Sequence, residues 1–289
     1  MKKLLLKLLL LFVLAVVIAA GIYGIMCIFK VNTSDMAHEI FGVVEKAEVY
    51  SGKSSVVIGD SVANQIWEFS ENSDDLCHLA SNQGITACGN YLLLLDYLEN
   101  NPQTKNVFYV VRPQSLSNDF RPDFTYQYMV LPFRLGSRLN DLDSSSINKL
   151  YDIYGRIYID NTLVQTVLLN NTGALNIYLQ KIQTDEEADY YCFSETSATY
   201  IKKMAVLCKS RGIEFSVVPG PLPESDRTVD WSAFKDDCKR LGVSDIMNSY
   251  ISGIFYYPDS SFIDDNVHFK GSFIKEHLEE IRSLILSNA

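Results

Sequence analysis

The sequence predicts an α/β fold with a parallel sheet, preceded by one membrane-spanning helix. Two observations indicate this: short apolar, β-branched runs alternate with amphipathic segments, and an uncharged apolar run occupies residues 8–29. Alternating strands and helices are typical of a parallel sheet with helices on both faces. Chemistry in such sheets gathers at the carboxyl ends of the strands, so the residues that follow each strand are the first candidates for a site.

Residues 1–30 are predicted to form a cytoplasmic tip and a transmembrane anchor. The apolar run has 22 residues, which as a helix span roughly 30 Å, the thickness of the hydrocarbon layer. Three lysines precede the run and Lys30 follows it, so the positive-inside bias places the N-terminus in the cytoplasm. A cleaved signal peptide is the less favoured alternative, because the run exceeds the usual apolar length and no small-x-small site follows it.

Residues 31–53 are predicted as a stalk and residues 54–289 as one domain. The predicted strands and helices follow in chain order: strand 55–58, a helical pattern from Val62 to Phe69, strand 77–80, helix 91–99, strand 106–111, helix 196–211, strand 213–218, helix 231–241 and helix 272–286. Residues 119–195, rich in Tyr, Asn and Asp, lack this alternation. We predict an insertion of short helices and loops there, serving either as a lid or partner surface or as a cover for one sheet edge.

Charge and cysteine usage exclude several classes of protein. The formal net charge is -10, and beyond residue 30 there are 21 basic against 35 acidic side chains. A nucleic-acid binder needs a basic face, so nucleic acid is not an expected partner. The cysteines form no Cys-x-x-Cys pair and no Gly-rich phosphate loop is present, so neither a metal site nor a cofactor is predicted.

The tripeptide Gly59-Asp60-Ser61 ends the first predicted strand and precedes a helix. A serine at this junction has its hydroxyl at the carboxyl edge of the sheet and its N–H at a helix N-terminus. That placement suits a nucleophile and one oxyanion donor. A serine in this position is more often only a helix N-cap, so the tripeptide alone does not identify an enzyme.

Asp265 and His268 lie just before the last predicted helix. In a helical turn, residues three apart share a face, so the carboxylate can orient the imidazole. A serine nucleophile needs a base held in this way. The alternative is a surface turn with an N-capping aspartate and an incidental histidine.

The ordered set of Gly59-Asp60-Ser61, Gly84 after the second strand, and Asp265-x-x-His268 resembles the SGNH/GDSL hydrolase superfamily over roughly residues 54–289. The resemblance implies a three-layer α/β/α, flavodoxin-like fold. It also implies Ser61 as nucleophile, His268 as general base and acid, and Asp265 as the orienting group. The N–H groups of Ser61 and Gly84 would then form the oxyanion hole.

The third block of the family differs here. The usual Gly-x-Asn-Asp is absent, and residues 110–116 read Val-Val-Arg-Pro-Gln-Ser-Leu. Gln114 is the candidate for the missing amide donor of the oxyanion hole, with Asn118 as the other candidate. The Pro-Gln segment resembles the D-alanyl transfer protein of the teichoic-acid pathway, and alginate-type acetylation proteins share the same plan of anchor and domain.

These resemblances imply a membrane-anchored, extracytoplasmic serine esterase or O-acyltransferase. Its substrate would be an acyl ester on a cell-surface glycan or teichoic-acid-like polymer, or a small ester. Its partner would be a membrane-bound O-acyltransferase. The altered third block keeps a second hypothesis open: a non-catalytic SGNH-like protein that binds a polymer or assists such an acyltransferase.

Overall fold

A computed structural model describes residues 2–28, 38–68, 75–134, 138–182 and 192–287 of the chain. The N-terminal apolar run is an α-helix, α1, from Lys2 to Ile28. Within the described ranges it is the one helix long and apolar enough to cross a membrane, over Lys3–Ile22. The predicted N-terminal apolar helix is therefore confirmed.

Four parallel strands form the main sheet, so the predicted α/β fold with a parallel sheet is confirmed. They are β1 (Ser55–Gly59), β2 (Leu76–His78), β3 (Asn106–Val111) and β4 (Glu214–Pro219), in the spatial order β2-β1-β3-β4. Strand β2 ends before the predicted limit of residue 80, at His78, whose register partner in β1 is Val57. A second, two-stranded parallel sheet joins β5 (Leu222–Pro223) to β6 (Tyr256–Tyr257).

Helices connect these strands and cover them. The α-helices after α1 are α2 (His38–Ala47), α3 (Ser61–Glu68), α4 (Thr86–Asn100), α5 (Pro113–Ser117), α6 (Pro122–Thr125), α7 (Leu131–Phe133), α8 (Ser144–Tyr154), α9 (Arg156–Asp160), α10 (Thr162–Leu169), α11 (Thr172–Ile182), α12 (Glu195–Ser210), α13 (Ser232–Arg240), α14 (Ser244–Ser252) and α15 (Gly271–Ser287).

The buried apolar side chains form two clusters that the strands separate. Successive residues of a strand point to opposite faces, and accordingly Val56 and Ile58 of β1 belong to one cluster while Val57 belongs to the other. The first cluster takes in side chains of α2, α4 and α12, and the second takes in side chains of α3 and α15. Both faces of the central strands are therefore buried, which explains their continuous apolar sequence.

Helix α2 lies in the segment predicted as a stalk, and here the structure differs from the prediction. Ile40, Val44 and Ala47 are buried in the first cluster, and the helix packs against α4. Their spacing of four and three residues gives α2 one apolar face. Residues 38–47 of the predicted stalk 31–53 thus contribute to the core, while residues 31–37 lie outside the described part of the chain.

The described part of the predicted insertion, residues 119–134, 138–182 and 192–195, contains helices and turns and no strand. Its buried apolar side chains join the first cluster, together with a group of tyrosines. The ring centroids of Tyr126 and Tyr154 are 5.0 Å apart, and those of Tyr158 and Tyr178 are 4.1 Å apart. The rings of these tyrosines pack against one another between the helices of the insertion.

Candidate active site

The end of β1 requires a glycine at position 59. A Cβ atom on Gly59 would lie 2.0 Å from the carbonyl oxygen of Val110, far inside van der Waals contact. Without that atom, β1 and β3 approach closely and bring Ser61 and Arg112 to the same carboxyl edge of the sheet. The sequence predicted this edge as the location of the chemistry.

Asp60, not Ser61, caps the helix that follows β1. Its Oδ1 accepts hydrogen bonds from the N–H groups of Val62 at 3.0 Å and Ala63 at 3.4 Å. This satisfies two of the N–H groups that a helix start leaves without partners. The hydroxyl of Ser61 is therefore not used as the N-cap, which was the structural alternative for this serine.

The second carboxylate oxygen of Asp60 ties β1 to the end of β3. It accepts hydrogen bonds from the Arg112 N–H at 2.9 Å and from the Ser115 hydroxyl at 2.6 Å. Asp60 is 3% exposed, so these four hydrogen bonds replace the ones that its carboxylate would make to water in the unfolded chain. This role of Asp60 was not predicted from the sequence, although a carboxylate directly after an apolar strand was a signal for it.

The structure brings Ser61, His268 and Asp265 into one hydrogen-bonded row. His268 Nδ1 lies 2.6 Å from Asp265 Oδ2, and His268 Nε2 lies 2.9 Å from Ser61 Oγ. A carboxylate can only accept, so Asp265 holds the proton of the ring on Nδ1 and leaves Nε2 to accept from the serine hydroxyl. Ser61 and His268 are 207 residues apart in the chain.

Local hydrogen bonds fix the turn that carries Asp265 and His268. The Oδ1 of Asp265 accepts from the N–H groups of Val267 at 2.8 Å and His268 at 3.0 Å. Partial burial acts to raise the pKa of Asp265, but the hydrogen bonds from the His268 ring and from these two N–H groups outweigh it, and the pKa lies below its ordinary value. Asp265 is therefore ionised at neutral pH, as an orienting group must be.

Arg112 fixes the same turn from the sheet side. Its side chain is 3% exposed, and its Nη1 donates to the carbonyl oxygen of Asn266 at 3.0 Å. Asn266 adopts a left-handed backbone with φ of 52°, which is uncommon outside glycine. Asp226 lies 3.6 Å from the other end of the guanidinium. The role of Arg112 was not predicted from the sequence, although a charged residue directly after a buried strand was a signal for it.

The three predicted oxyanion donors have different surroundings. The Ser61 N–H is in the first turn of α3, where N–H groups have no intrahelical acceptor. The Gly84 N–H lies in a 3₁₀ turn and donates to Asn82 Oδ1 at 2.9 Å. Gln114 is in the first turn of α5, and its Oε1 is buried with no hydrogen-bond partner in the described parts of the chain. Their role as donors stays a prediction.

Asn118, the other candidate donor, comes directly after α5 and is buried, with its backbone carbonyl accepting from the Ser194 hydroxyl at 3.0 Å. Gly84 is packed against the predicted insertion. A Cβ there would lie 3.0 Å from both Phe124 Cβ and Tyr128 Cδ2. The insertion therefore covers the turn that follows β2.

Buried polar atoms near this turn lack partners among the described residues. They are Ser81 Oγ, Thr86 Oγ1 and Asn90 Oδ1, from the segment after β2 and the first turns of α4. Thr86 is also β-branched and has a φ of 59°, a left-handed conformation that costs about 1–3 kcal/mol. Unpaired buried polar atoms and local strain gather at functional sites, so these residues are further candidates that the sequence did not indicate.

Within the described residues, no group of three or more His, Cys, Asp or Glu side chains could hold a metal ion. The cysteines at 77, 88, 208 and 238 are buried thiols. Burial raises the pKa of Cys238 to about 11 and that of Cys208 to about 12. These thiols are therefore protonated and unreactive at neutral pH.

The sequence matches no protein-family model and no curated protein. A comparison with solved structures finds similarity to a protein from Streptococcus pneumonia provisionally assigned as a platelet activating factor. The TM-score is 0.34 with 10% sequence identity, over 84% of this chain and 94% of that chain.

Proposed function

We propose that this chain is a membrane-anchored serine esterase or O-acyltransferase of the SGNH type, with a three-layer α/β/α domain outside the cytoplasm. The observation that supports it best is the row of hydrogen bonds from Asp265 through His268 to Ser61, with distances of 2.6 and 2.9 Å. A hydroxyl is a weak nucleophile until a base takes its proton, and this row supplies a base and its orienting carboxylate.

The proposed reaction proceeds in two steps. Ser61 Oγ attacks the ester carbonyl carbon while its proton passes to His268 Nε2, and Asp265 stabilises the imidazolium that forms. The N–H of Ser61, with Gly84 and Gln114 as the other proposed donors, stabilises the oxyanion. The tetrahedral intermediate then collapses, the C–O bond to the alcohol breaks, and the alcohol takes the proton from His268.

The second step releases the acyl group from Ser61. Water or a polymer hydroxyl gives its proton to His268 and attacks the acyl-serine, and Ser61 leaves with that proton. Water as acceptor makes the protein an esterase, and a polymer hydroxyl makes it a transferase. Each oxyanion donor is worth about 3 kcal/mol of transition-state stabilisation in well-studied enzymes.

The proposed substrate is an acyl ester on a cell-surface glycan or teichoic-acid-like polymer, and the proposed partner is a membrane-bound O-acyltransferase. Helix α1 supports a location at the membrane, and the lysines at its start support a cytoplasmic N-terminus. The acidic domain does not favour an electrostatic grip on an anionic polymer. We therefore expect shape and hydrogen bonds to hold the polymer.

A fluorophosphonate probe tests the proposed nucleophile, because it labels only serines activated by a base. We expect labelling of the full-length protein in detergent, and its loss in Ser61→Ala and in His268→Gln. His277→Gln is the matched control, since His277 also lies near a carboxylate three residues away, with Nδ1 3.2 Å from Glu280 Oε2. Labelling that persists in folded His268→Gln would contradict the proposal.

One observation favours the second hypothesis, a non-catalytic polymer-binding or accessory protein. The N–H of Gly84 is already occupied by Asn82 Oδ1 at 2.9 Å, so one proposed oxyanion donor is engaged elsewhere. Under this hypothesis the wild-type protein is folded but not labelled by the probe, and Ser61→Ala leaves its function unchanged.

A further inference from the structure

Helices α9, α10 and α11 of the insertion each expose large apolar side chains, and α10 packs against both of the others. Ile157, Leu163, Val167 and Ile177 are 56%, 52%, 51% and 59% exposed. The opposite sides of α10 and α11 are anchored in the core by residues such as Leu169 and Leu175, each 1% exposed. The outward side chains are therefore held in place rather than free to turn inward, and their exposure leaves apolar area in contact with water.

This surface is also uncharged. Residues 161–180 contain no Asp, Glu, Lys or Arg, in a chain of which 21% is charged. The exposed polar positions among them are Asn and Thr residues and Gln180. Exposed basic residues flank the stretch at Arg156 and Lys181, and Asp160 accepts a hydrogen bond from the Tyr151 hydroxyl at 2.8 Å. Surfaces designed to face water are given about 25–35% charged residues, far more than this stretch carries.

The N-terminal helix connects this surface to the membrane. The backbone of α1 approaches that of α10. Nine residues, 29–37, join the end of α1 to the start of α2, and they span at most about 30 Å when fully extended. A domain tethered this closely to a bilayer stays next to the lipid headgroups.

We propose that the exposed face of α9, α10 and α11 lies on the lipid bilayer, with Leu163, Val167 and Ile177 inserted at the boundary between headgroups and acyl chains. Interfacial helices bury apolar side chains such as Leu in this way, with basic residues at the headgroup level. The exposed large apolar side chains of these three helices are Ile, Leu and Val, and the exposed Arg156 and Lys181 flank them in the sequence.

The inference rests on the proposed membrane anchorage, and it adds an orientation to it. The segment Phe124–Tyr128, which covers Gly84, is linked to α11 by the contact between the rings of Tyr126 and Tyr178, whose centroids are 5.0 Å apart. A face bound to lipid would therefore hold the cover of the candidate site close to the membrane. This suits an acyl donor or acceptor presented at the bilayer surface.

Tryptophan quenching by brominated lipid tests the contact without requiring catalysis. Val167→Trp is the probe variant, and Val206→Trp on α12, where the valine is 67% exposed, is the matched control. Both full-length variants are reconstituted in phosphatidylcholine vesicles with brominated acyl chains, and the native Trp67 and Trp231 give the same background in each. We expect the added fluorescence of the Val167→Trp variant to fall by about two-fold or more. The added fluorescence of the Val206→Trp variant should not be quenched.

Co-flotation with the vesicles separates this inference from the proposed anchorage. A protein that floats with the lipid but leaves the tryptophan at position 167 unquenched overturns the inference and leaves the anchorage standing; a doubled mass in detergent would then indicate a second copy on this face. A protein that does not float overturns both. Ile177→Trp repeats the measurement on α11 and guards against a folding defect at position 167, and its quenching supports the inference in the same way.

Discussion

At the scale of single residues, the candidate site depends on three carboxylates with separate tasks. Asp60 caps α3 and joins β1 to β3, Asp265 holds the ring of His268, and Asp226 faces the guanidinium of Arg112. Each charge has a positive or N–H partner, which is the condition for placing acids in a partly buried site.

Replacing Asp265 by asparagine separates its two tasks. The amide oxygen still accepts from the N–H groups of Val267 and His268, so the turn keeps its shape, but the ring of His268 loses its carboxylate. We expect the rate of fluorophosphonate labelling to fall by about 10²–10⁴-fold with the melting temperature little changed. An unchanged labelling rate in the folded Asp265→Asn protein would show that the carboxylate has no role in activating Ser61.

Because the ring of His78 is partly buried, we expect the folded protein to lose stability in acid. Burial, followed by the charges of Lys46 and Arg282, lowers the pKa of His78 to about 4 from its ordinary value of 6.5. The unfolded chain therefore binds the proton first as the pH falls, and stability present above about pH 6.5 is lost progressively down to about pH 4. The loss is on the order of 3 kcal/mol at most.

Urea unfolding of wild type and His78→Gln at pH 7.5 and pH 4.5 measures this effect. We expect the difference between the two pH values to be smaller in the variant, because glutamine does not titrate. Equal differences in the two proteins would show that His78 is not the group responsible.

At the scale of elements, helix α2 is a part of the core that its position in the sequence did not indicate. Ile40 is 0% exposed, so Ile40→Ala should lower the free energy of unfolding by about 2–5 kcal/mol. Gly42 lies on the same helix with open space around its Cβ position, so Gly42→Ala should raise it by about 0.5–1 kcal/mol. Thermal unfolding of the full-length protein in detergent measures both effects. If neither substitution changed the melting temperature, α2 would lie outside the part of the protein that unfolds cooperatively.

Strong local patterns made most elements predictable. The strands at 55–59, 106–111 and 214–219 are rich in apolar, β-branched residues and each has Gly or Pro at or just after its end, and the last helix has a clear apolar face. Helix α2 and helix α14 were not predicted, because their apolar faces are short and their stability comes from neighbours distant in the chain. The strands Leu222–Pro223 and Tyr256–Tyr257 have two residues each, too few for any periodicity.

At the scale of the whole molecule, the chain separates an apolar N-terminal helix from an acidic domain. Three lysines precede the apolar run, and acids outnumber bases in the residues that follow it. If the uncharged face of α9, α10 and α11 meets lipid as proposed, the acidic remainder of the domain faces water, which keeps it soluble beside the bilayer.

The sequence by itself determined the class of fold, the apolar helix and the residue types of the candidate site. These follow from local properties: the period of apolar residues, the length of an uncharged run, and a serine, an aspartate and a histidine at strand and helix ends. Only the tertiary structure decided that Ser61 meets His268, that Asp60 takes the capping role, and that Arg112 holds the turn at Asn266. The contacts that join β1, β3 and this turn link residues 52 to 207 positions apart, and their distances depend on how the strands pack, which no local pattern records.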